Sequence, residues 1–306
     1  MTYATAPSRA AAPPSGAGRP RTVGLLLLLS ALALLGVLGT YRVFVRSLTG
    51  QQVERAAMGG KGLALRAGGT SVTRVLDVVS VSSVALALLA AMAVGLLRGR
   101  WRSALGAALI VAGSTLTTEA LKHSLLHRPT WLDGAQNSLP SGHTTVAASV
   151  AAVAVLVSPR GLRPGVALVG GAYAMVTGAA TVVAGWHRPS DVISAFGVVL
   201  AWCALTAAVV VALSPPPEGR GHPGPTHRVV ALFLGSSALV TGVVGAGLIG
   251  LTARRLPHPL GEVRQVAAYA GELAAVAGAG LLTTALWLVI VPVVDAAGQA
   301  VEDVQD

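Results

Sequence analysis

Leu139-Pro140-Ser141-Gly142-His143 runs without a break into Thr144-Thr145-Val146-Ala147-Ala148-Ser149-Val150-Ala151-Ala152-Val153-Ala154-Val155-Leu156-Val157. A short polar motif set against an apolar run predicts a membrane helix that begins near His143, with Pro140 just ahead of its first turn. Two further polar islands interrupt the apolar sequence. Lys122 with Arg128-Pro129 lies upstream, and His187-Arg188-Pro189-Ser190-Asp191 lies downstream. Apolar helices have no packing use for two histidines, a lysine, an arginine, a serine and an aspartate at their ends. Chemistry on a phosphate group is the first expectation.

Composition supports a bilayer setting. The chain is 53% hydrophobic and 11% charged, less than half of the roughly 25% charged residues of a soluble domain. Runs near the roughly 20 residues needed to cross a membrane recur at 23–45, 76–97, 104–121, 144–159, 165–184, 192–213, 229–251 and 266–293. The expected fold is therefore all-α and polytopic: a six-helix unit over 23–213, with its polar motifs at 122–191, and two additional transmembrane helices over 229–294. Residues 1–22, rich in Ala, Pro, Gly and Arg, read as a flexible tail. A signal peptide competes for 23–45, but the run is long for an h-region and no small-residue cleavage site follows, so a retained helix is expected. Residues 46–75 read as a polar connection, 214–228 as a Pro/Gly-rich linker, and 295–306 as a solvated acidic tail.

The formal net charge is +10, from 22 Lys and Arg against 12 Asp and Glu. The basic residues fall singly or in small groups between spans, with no long basic face, so no nucleic-acid partner is expected. Anionic headgroups or a phosphorylated substrate account for them better. Cys203, the single cysteine, excludes a disulfide within the chain and a thiolate metal site. With the N-terminus inside, the islands at 122–143 and 187–191 fall on one face, outside. The short basic segments 98–102 and 160–163 contain no acid and favour the cytoplasmic side. An integral plasma-membrane, multi-pass protein with an extracytoplasmic site is expected.

Within the islands, each residue has a structural explanation beside a chemical one. Ser141 before a helix is a common N-cap. The same helix start, with Gly142 allowing backbone approach and Ser141 adding a hydroxyl, also suits an anion. Lys122 at a span end may be read as a snorkelling interface residue or as a phosphate ligand, and Arg128 beside Pro129 suits bidentate contact with phosphate. His187 and Asp191, four apart, share a helix face, so the carboxylate can hold one imidazole nitrogen and leave the other to attack. Metal ligation is the rival role for that pair. Glu119 and Asp133 are the only other acids near the islands in sequence, which argues against a metal site.

Taken together, the three islands resemble the type 2 phosphatidic acid phosphatase superfamily, whose signature runs Lys then Arg-Pro, Pro-Ser-Gly-His, then Ser-Arg followed by His-x-x-x-Asp. The resemblance covers about 75–213. It implies that His187 is the nucleophile and forms a phosphohistidine, that Asp191 orients it, and that His143 protonates the leaving group and then activates water. It further implies that Lys122, Arg128, Ser141 and the Gly142 N–H hold the phosphoryl oxygens, with no metal and no cofactor. The substrate class implied is a lipid phosphate such as phosphatidate or a polyprenyl phosphate or diphosphate. A phosphotransferase and a non-enzymatic transporter or binder of a phosphorylated lipid are the alternatives. Two departures stand out. Five residues separate Lys122 from Arg128 where the family has six, and Ala180-Thr181 stands where the family has Ser-Arg. Loss of one charged donor costs on the order of 10²–10³ in rate, which makes Arg188 a candidate substitute and Thr181 a candidate site residue.

Overall fold

The computed structural model of the chain describes residues 18–68, 101–132, 136–214, 224–256 and 258–305. All its regular elements are helices, with no strand among the described residues. In chain order they are α1 (Gly18–Thr40), α2 (Leu48–Gly68), α3 (Trp101–Ala120), α4 (Gly142–Val157), α5 (Arg163–Val183), α6 (Pro189–Leu213), α7 (Pro225–Arg255) and α8 (Glu262–Gln305). Single π-helical turns extend α1 through Tyr41–Val45 and α3 through Leu121–Leu125. Six helical segments are long and apolar enough to cross a membrane, and α4 is a shorter apolar helix. The chain is an integral membrane protein of all-α architecture.

Seven of the eight expected spans have a helical counterpart, and the eighth, 76–97, lies outside the described residues. Two boundaries differ. Helix α1 begins at Gly18, inside the stretch read as a tail: Pro20 is tolerated in a first helical turn, and Arg19 donates to the carbonyl of Ala212. The larger difference is α2. The stretch 46–75 read as a polar connection, yet Leu48–Gly68 within it form a helix of 21 residues, and 69–75 lie outside the described residues. That helix is amphipathic, with Gln51, Val53, Glu54 and Ala57 buried and Arg55 exposed. Its charge and glycine content disguised it, because packing rather than propensity stabilises it.

The interior is built on small residues. Ala147, Ala148, Ala151 and Ala152 of α4 lie against Ala167 and Ala174 of α5 and Val192, Phe196, Val199 and Ala204 of α6 in one continuous core. Small side chains let apolar helices approach closely where there is no hydrophobic drive to associate within lipid. Helix α1 packs along α6, where Ser30 Oγ donates to the Ala201 carbonyl at 2.9 Å. The α7–α8 pair, expected as a separate extension, joins the same core: α8 packs on α2, α5 and α6 as well as on α7, with Tyr269, Val276, Trp287 and Ile290 buried in the shared cluster. At the far end of α4, Arg163 caps the helix, donating from Nε to the Ser158 carbonyl at 2.9 Å and from Nη2 to Leu156 at 3.3 Å.

Gly171 marks a close approach of α5 to α8, since a Cβ there would collide with the side chain of Thr284. Gly171→Leu is expected to destabilise the protein by about 1–3 kcal/mol through overpacking. Thermal melts in detergent should show a lower midpoint, and an unchanged midpoint would mean that α8 is not part of the core.

Candidate active site

The three polar islands converge at the start of α4 and α6 and the end of α3. Ser141 is the N-cap of α4: its Oγ accepts from the Thr144 backbone N–H at 3.4 Å and from the Thr144 hydroxyl at 3.0 Å. The expected cap is therefore present, and Gly142 opens the helix beside it. A Cβ on Gly142 would stand 3.7 Å from Lys122 Nζ and 3.8 Å from Glu119 Oε1. This places the Lys122 ammonium at the exposed N–H groups of α4. Glu119 is otherwise paired on the surface, with His123 Nε2 at 3.2 Å.

The second and third islands are joined through Asp191. The Ser141 N–H donates to the Asp191 carbonyl at 2.9 Å. The Asp191 carboxylate, buried in the first turn of α6, meets His187 Nδ1 at 3.1 Å. The same oxygen accepts from the Arg188 N–H at 2.9 Å and from Ser138 Oγ at 2.7 Å. With Nδ1 engaged, Nε2 is the nitrogen of His187 left for a substrate. His143, half-buried in the first turn of α4, has its ring centroid 6.2 Å from that of His187 and 5.5 Å from that of Trp186. The two imidazoles thus stand edge to face, with the exposed Trp186 against His143.

The turn carrying His187 is held from below by Thr181. Its carbonyl accepts from the Trp186 N–H at 3.0 Å and the His187 N–H at 3.3 Å, while its hydroxyl donates back to the Gly178 carbonyl at 2.8 Å. Thr181 is fully buried, and its hydroxyl closes on its own helix. Gly185 makes the turn possible with φ at +79°.

Arg128 and Arg188 are brought together by a residue that the sequence reading missed. Glu54 of α2, its side chain 0% exposed, lies with Oε2 3.4 Å from Arg128 Nη1 and 3.8 Å from Arg188 Nε. Its Oε1 accepts from the Ser190 hydroxyl. The expectation that only Glu119 and Asp133 lie near the islands is corrected here: Glu54 is 74 residues from Arg128 in sequence and reaches it because α2 folds back over the site. One helical turn earlier, Gln51 donates from Nε2 to the carbonyls of Val45 at 2.9 Å and Pro129 at 3.0 Å. Tyr41 Oη also donates to the His127 carbonyl at 2.9 Å, and Val45, Leu126 and Leu139 form a small apolar cluster under this segment. The Arg188 Nη1 donates to Ser138 Oγ at 3.4 Å.

Burial, and next the neighbouring Asp191 carboxylate, push the Glu54 carboxyl up to about 7, against the pull of Ser190, Arg128 and Arg188. Among the described residues, no group of three or more His, Cys, Asp or Glu side chains is arranged to hold a metal ion.

Residues 103–214 match the family model of the PAP2 superfamily. That segment, a little over a third of the chain, is similar to the PAP2 superfamily. The matched stretch holds α3 through α6 with all three polar islands, whereas Gln51 and Glu54 come from outside it. Comparison with curated proteins and with solved structures gave no match. PAP2 proteins generally hydrolyse phosphate esters, and a phosphatase-type function in a membrane protein follows at that level.

Two signals in the sequence pointed toward the missed residues without deciding them. Gln51 and Glu54 stand three apart among Val53 and Ala57, a spacing that puts them on one helix face. Ser138 directly precedes the Leu139-Pro140-Ser141 stretch.

Gly185→Ala should strain the turn under His187 by about 1–2 kcal/mol, lowering turnover more than substrate affinity; a steady-state comparison with wild type measures both. Glu54 binds its proton more tightly in the folded chain, at about 7, than at its ordinary 4.5. Its contribution to stability is therefore full below about pH 4.5 and is lost as pH rises through about 7. Thermal melts across this range should show Glu54→Gln with a flatter profile than wild type.

Proposed function

We propose that this protein is a metal-independent, integral-membrane lipid phosphatase that hydrolyses a phosphomonoester or diphosphate of a lipid, phosphatidate or polyprenyl phosphate in type. The observation that carries the reading is the His187 Nδ1 to Asp191 contact at 3.1 Å with His143 across the same space. A carboxylate on Nδ1 fixes the tautomer that leaves the Nε2 lone pair free, and it stabilises the positive charge that develops on the ring.

In the first step, His187 Nε2 attacks phosphorus. The bond from phosphorus to the lipid oxygen breaks as His143 gives that oxygen a proton. The resulting phosphohistidine is then attacked by water, which passes a proton to His143 as the P–N bond breaks. Inorganic phosphate leaves and both histidines return to their starting states. Lys122 at the α4 N-terminus and the guanidinium of Arg128 suit the phosphoryl oxygens, since phosphoryl transfer depends chiefly on positioning and charge stabilisation. Arg128 Nε is buried without an acceptor, and a phosphoryl oxygen would satisfy it. Gly142 and Ser141 add the helix-end donors. The substrate headgroup would enter from the extracytoplasmic face of the plasma membrane while its acyl or prenyl chain remains among the helices.

Purified protein offered a panel of lipid phosphates with a chelator present should release phosphate. His187→Ala and His143→Ala should each lose at least about 10²-fold of that rate. Phosphate release that survives both substitutions would sink the assignment, and release abolished by the chelator would move the chemistry to a metal. Acid-labile phosphate trapped on His187 and then challenged with alcohol separates a phosphotransferase from a hydrolase. Binding of lipid phosphate without any turnover would instead support a binder or transporter.

A further inference from the structure

Helix α2 lies outside the family segment, yet its Glu54 carboxyl is the atom group on which two arginines of the site converge. A fully buried acid is costly to keep unless it has work to do. Four observations define that work. Glu54 holds Arg128 Nη1 at 3.4 Å. It lies 3.8 Å from Arg188 Nε, the side chain expected to replace the family's missing arginine. It accepts from Ser190, the residue before Asp191. Its neighbour Gln51, one turn away, grips the Pro129 carbonyl, so that α2 fixes both the backbone and the side chain of the Arg128-Pro129 island.

We propose that Glu54 is the positioning residue of the phosphate cradle: its carboxyl group holds the guanidinium groups of Arg128 and Arg188 in place and, by gaining or losing a proton, sets how strongly they attract a dianionic phosphoryl group. When Glu54 carries a charge it competes with the substrate for both arginines. When it is protonated it still accepts a hydrogen bond from Arg128 but no longer cancels the charge of either arginine. Binding of a dianion therefore draws a proton onto Glu54.

Several charged groups face Glu54 and share in this balance. Arg128 comes from the segment after α3, Arg188 and Asp191 from the start of α6, and Glu272 from α8. Glu272 is buried with both carboxyl oxygens unpartnered, so it supplies no donor that would hold Glu54 in its charged form. Burial and Asp191 already place the Glu54 transition near neutral pH, where the proposed coupling has its effect.

The inference rests on the phosphatase reading for its site but is tested without turnover. Sulfate is a suitable probe because it stays a dianion throughout the range pH 6–8. Titration calorimetry of the full-length protein in detergent should show wild-type affinity falling, from pH 6 to pH 8, about ten-fold more than that of Glu54→Gln, one proton's worth of coupling across the transition. Glu54→Gln should match wild type at pH 6 within about two-fold, because a side-chain amide oxygen still accepts from Arg128 and, like the protonated acid, carries no charge. Glu54→Ala, which frees them, should bind sulfate more weakly at both pH values, and Glu54→Asp should restore the pH slope.

A slope unchanged in Glu54→Gln, or Glu54→Ala binding like wild type at pH 6, would overturn the proposal. So would absence of sulfate binding by wild type at both pH values. If Glu54→Gln proves unfolded by its melting curve, the slope in Glu54→Asp against Glu54→Ala decides. A wild type that shows the coupling but releases no phosphate from any lipid refutes the phosphatase reading alone. A wild type that hydrolyses lipid phosphate with no Glu54-dependent slope refutes this inference alone.

Discussion

Asp191 ties the site to the fold. Its carbonyl accepts the Ser141 N–H, and one oxygen of its carboxylate gathers His187, the Arg188 N–H and Ser138. A carboxylate buried at the first turn of α6 benefits from the positive end of that helix as well as from these donors. The same side chain thus caps a helix, fixes an imidazole and pins the loop leading into α4. The orientation of His187 cannot be altered without disturbing the entry to α4 that carries His143. Asp191 thus links the two histidine-bearing segments, together with the Thr181 carbonyl that holds the His187 turn.

Next to that hub a buried arginine meets a buried carboxyl group. Arg128 and Glu54 are nearly or wholly inaccessible, at 3% and 0% side-chain exposure, and face each other. A buried pair of this kind is weak evidence for stability, because the desolvation of both partners offsets much of their attraction. Its persistence is easier to explain by what it does to the arginine. A guanidinium keeps its planar fork in any orientation, and one tethered through a single nitrogen also presents its remaining donors in a fixed direction. The unpartnered Nε of Arg128 fits that account.

The membrane class and most of the helices were legible because apolar runs long enough to span a bilayer leave little freedom in their interpretation. His143, His187 and Asp191 were legible for the opposite reason: polar residues at the ends of such runs have few structural uses. Helix α2 was not legible. Its residues are individually unremarkable, with glycines and mixed charges, and its helicity depends on packing against α8 and the extended end of α1. Glu54 was hidden with it, since nothing in linear distance connects it to Arg128. The role of α8 was obscured similarly, because a long apolar helix after a Pro/Gly-rich break looks like an appendage until its burial against α5 and α6 is seen.

Thr181 shows how the chain accommodates losing a charged group at a conserved-looking motif position. The backbone of that residue retains a structural task, accepting from Trp186 and His187, while its hydroxyl is folded onto α5. An arginine in its place would have to leave a fully buried position to reach a phosphoryl oxygen. Arg188 needs no such path: it precedes α6, is 18% exposed, and already meets Ser138 and Glu54. In the proposed reading, the positive charge that the resembled motif carries at the position of Thr181 is supplied instead by Arg188, beside His187. A side chain beside the nucleophile sees the phosphoryl group from a different angle and would crowd His187 unless restrained. In the proposed reading Glu54 is that restraint, since its carboxyl stands 3.4 Å from Arg128 Nη1 and 3.8 Å from Arg188 Nε.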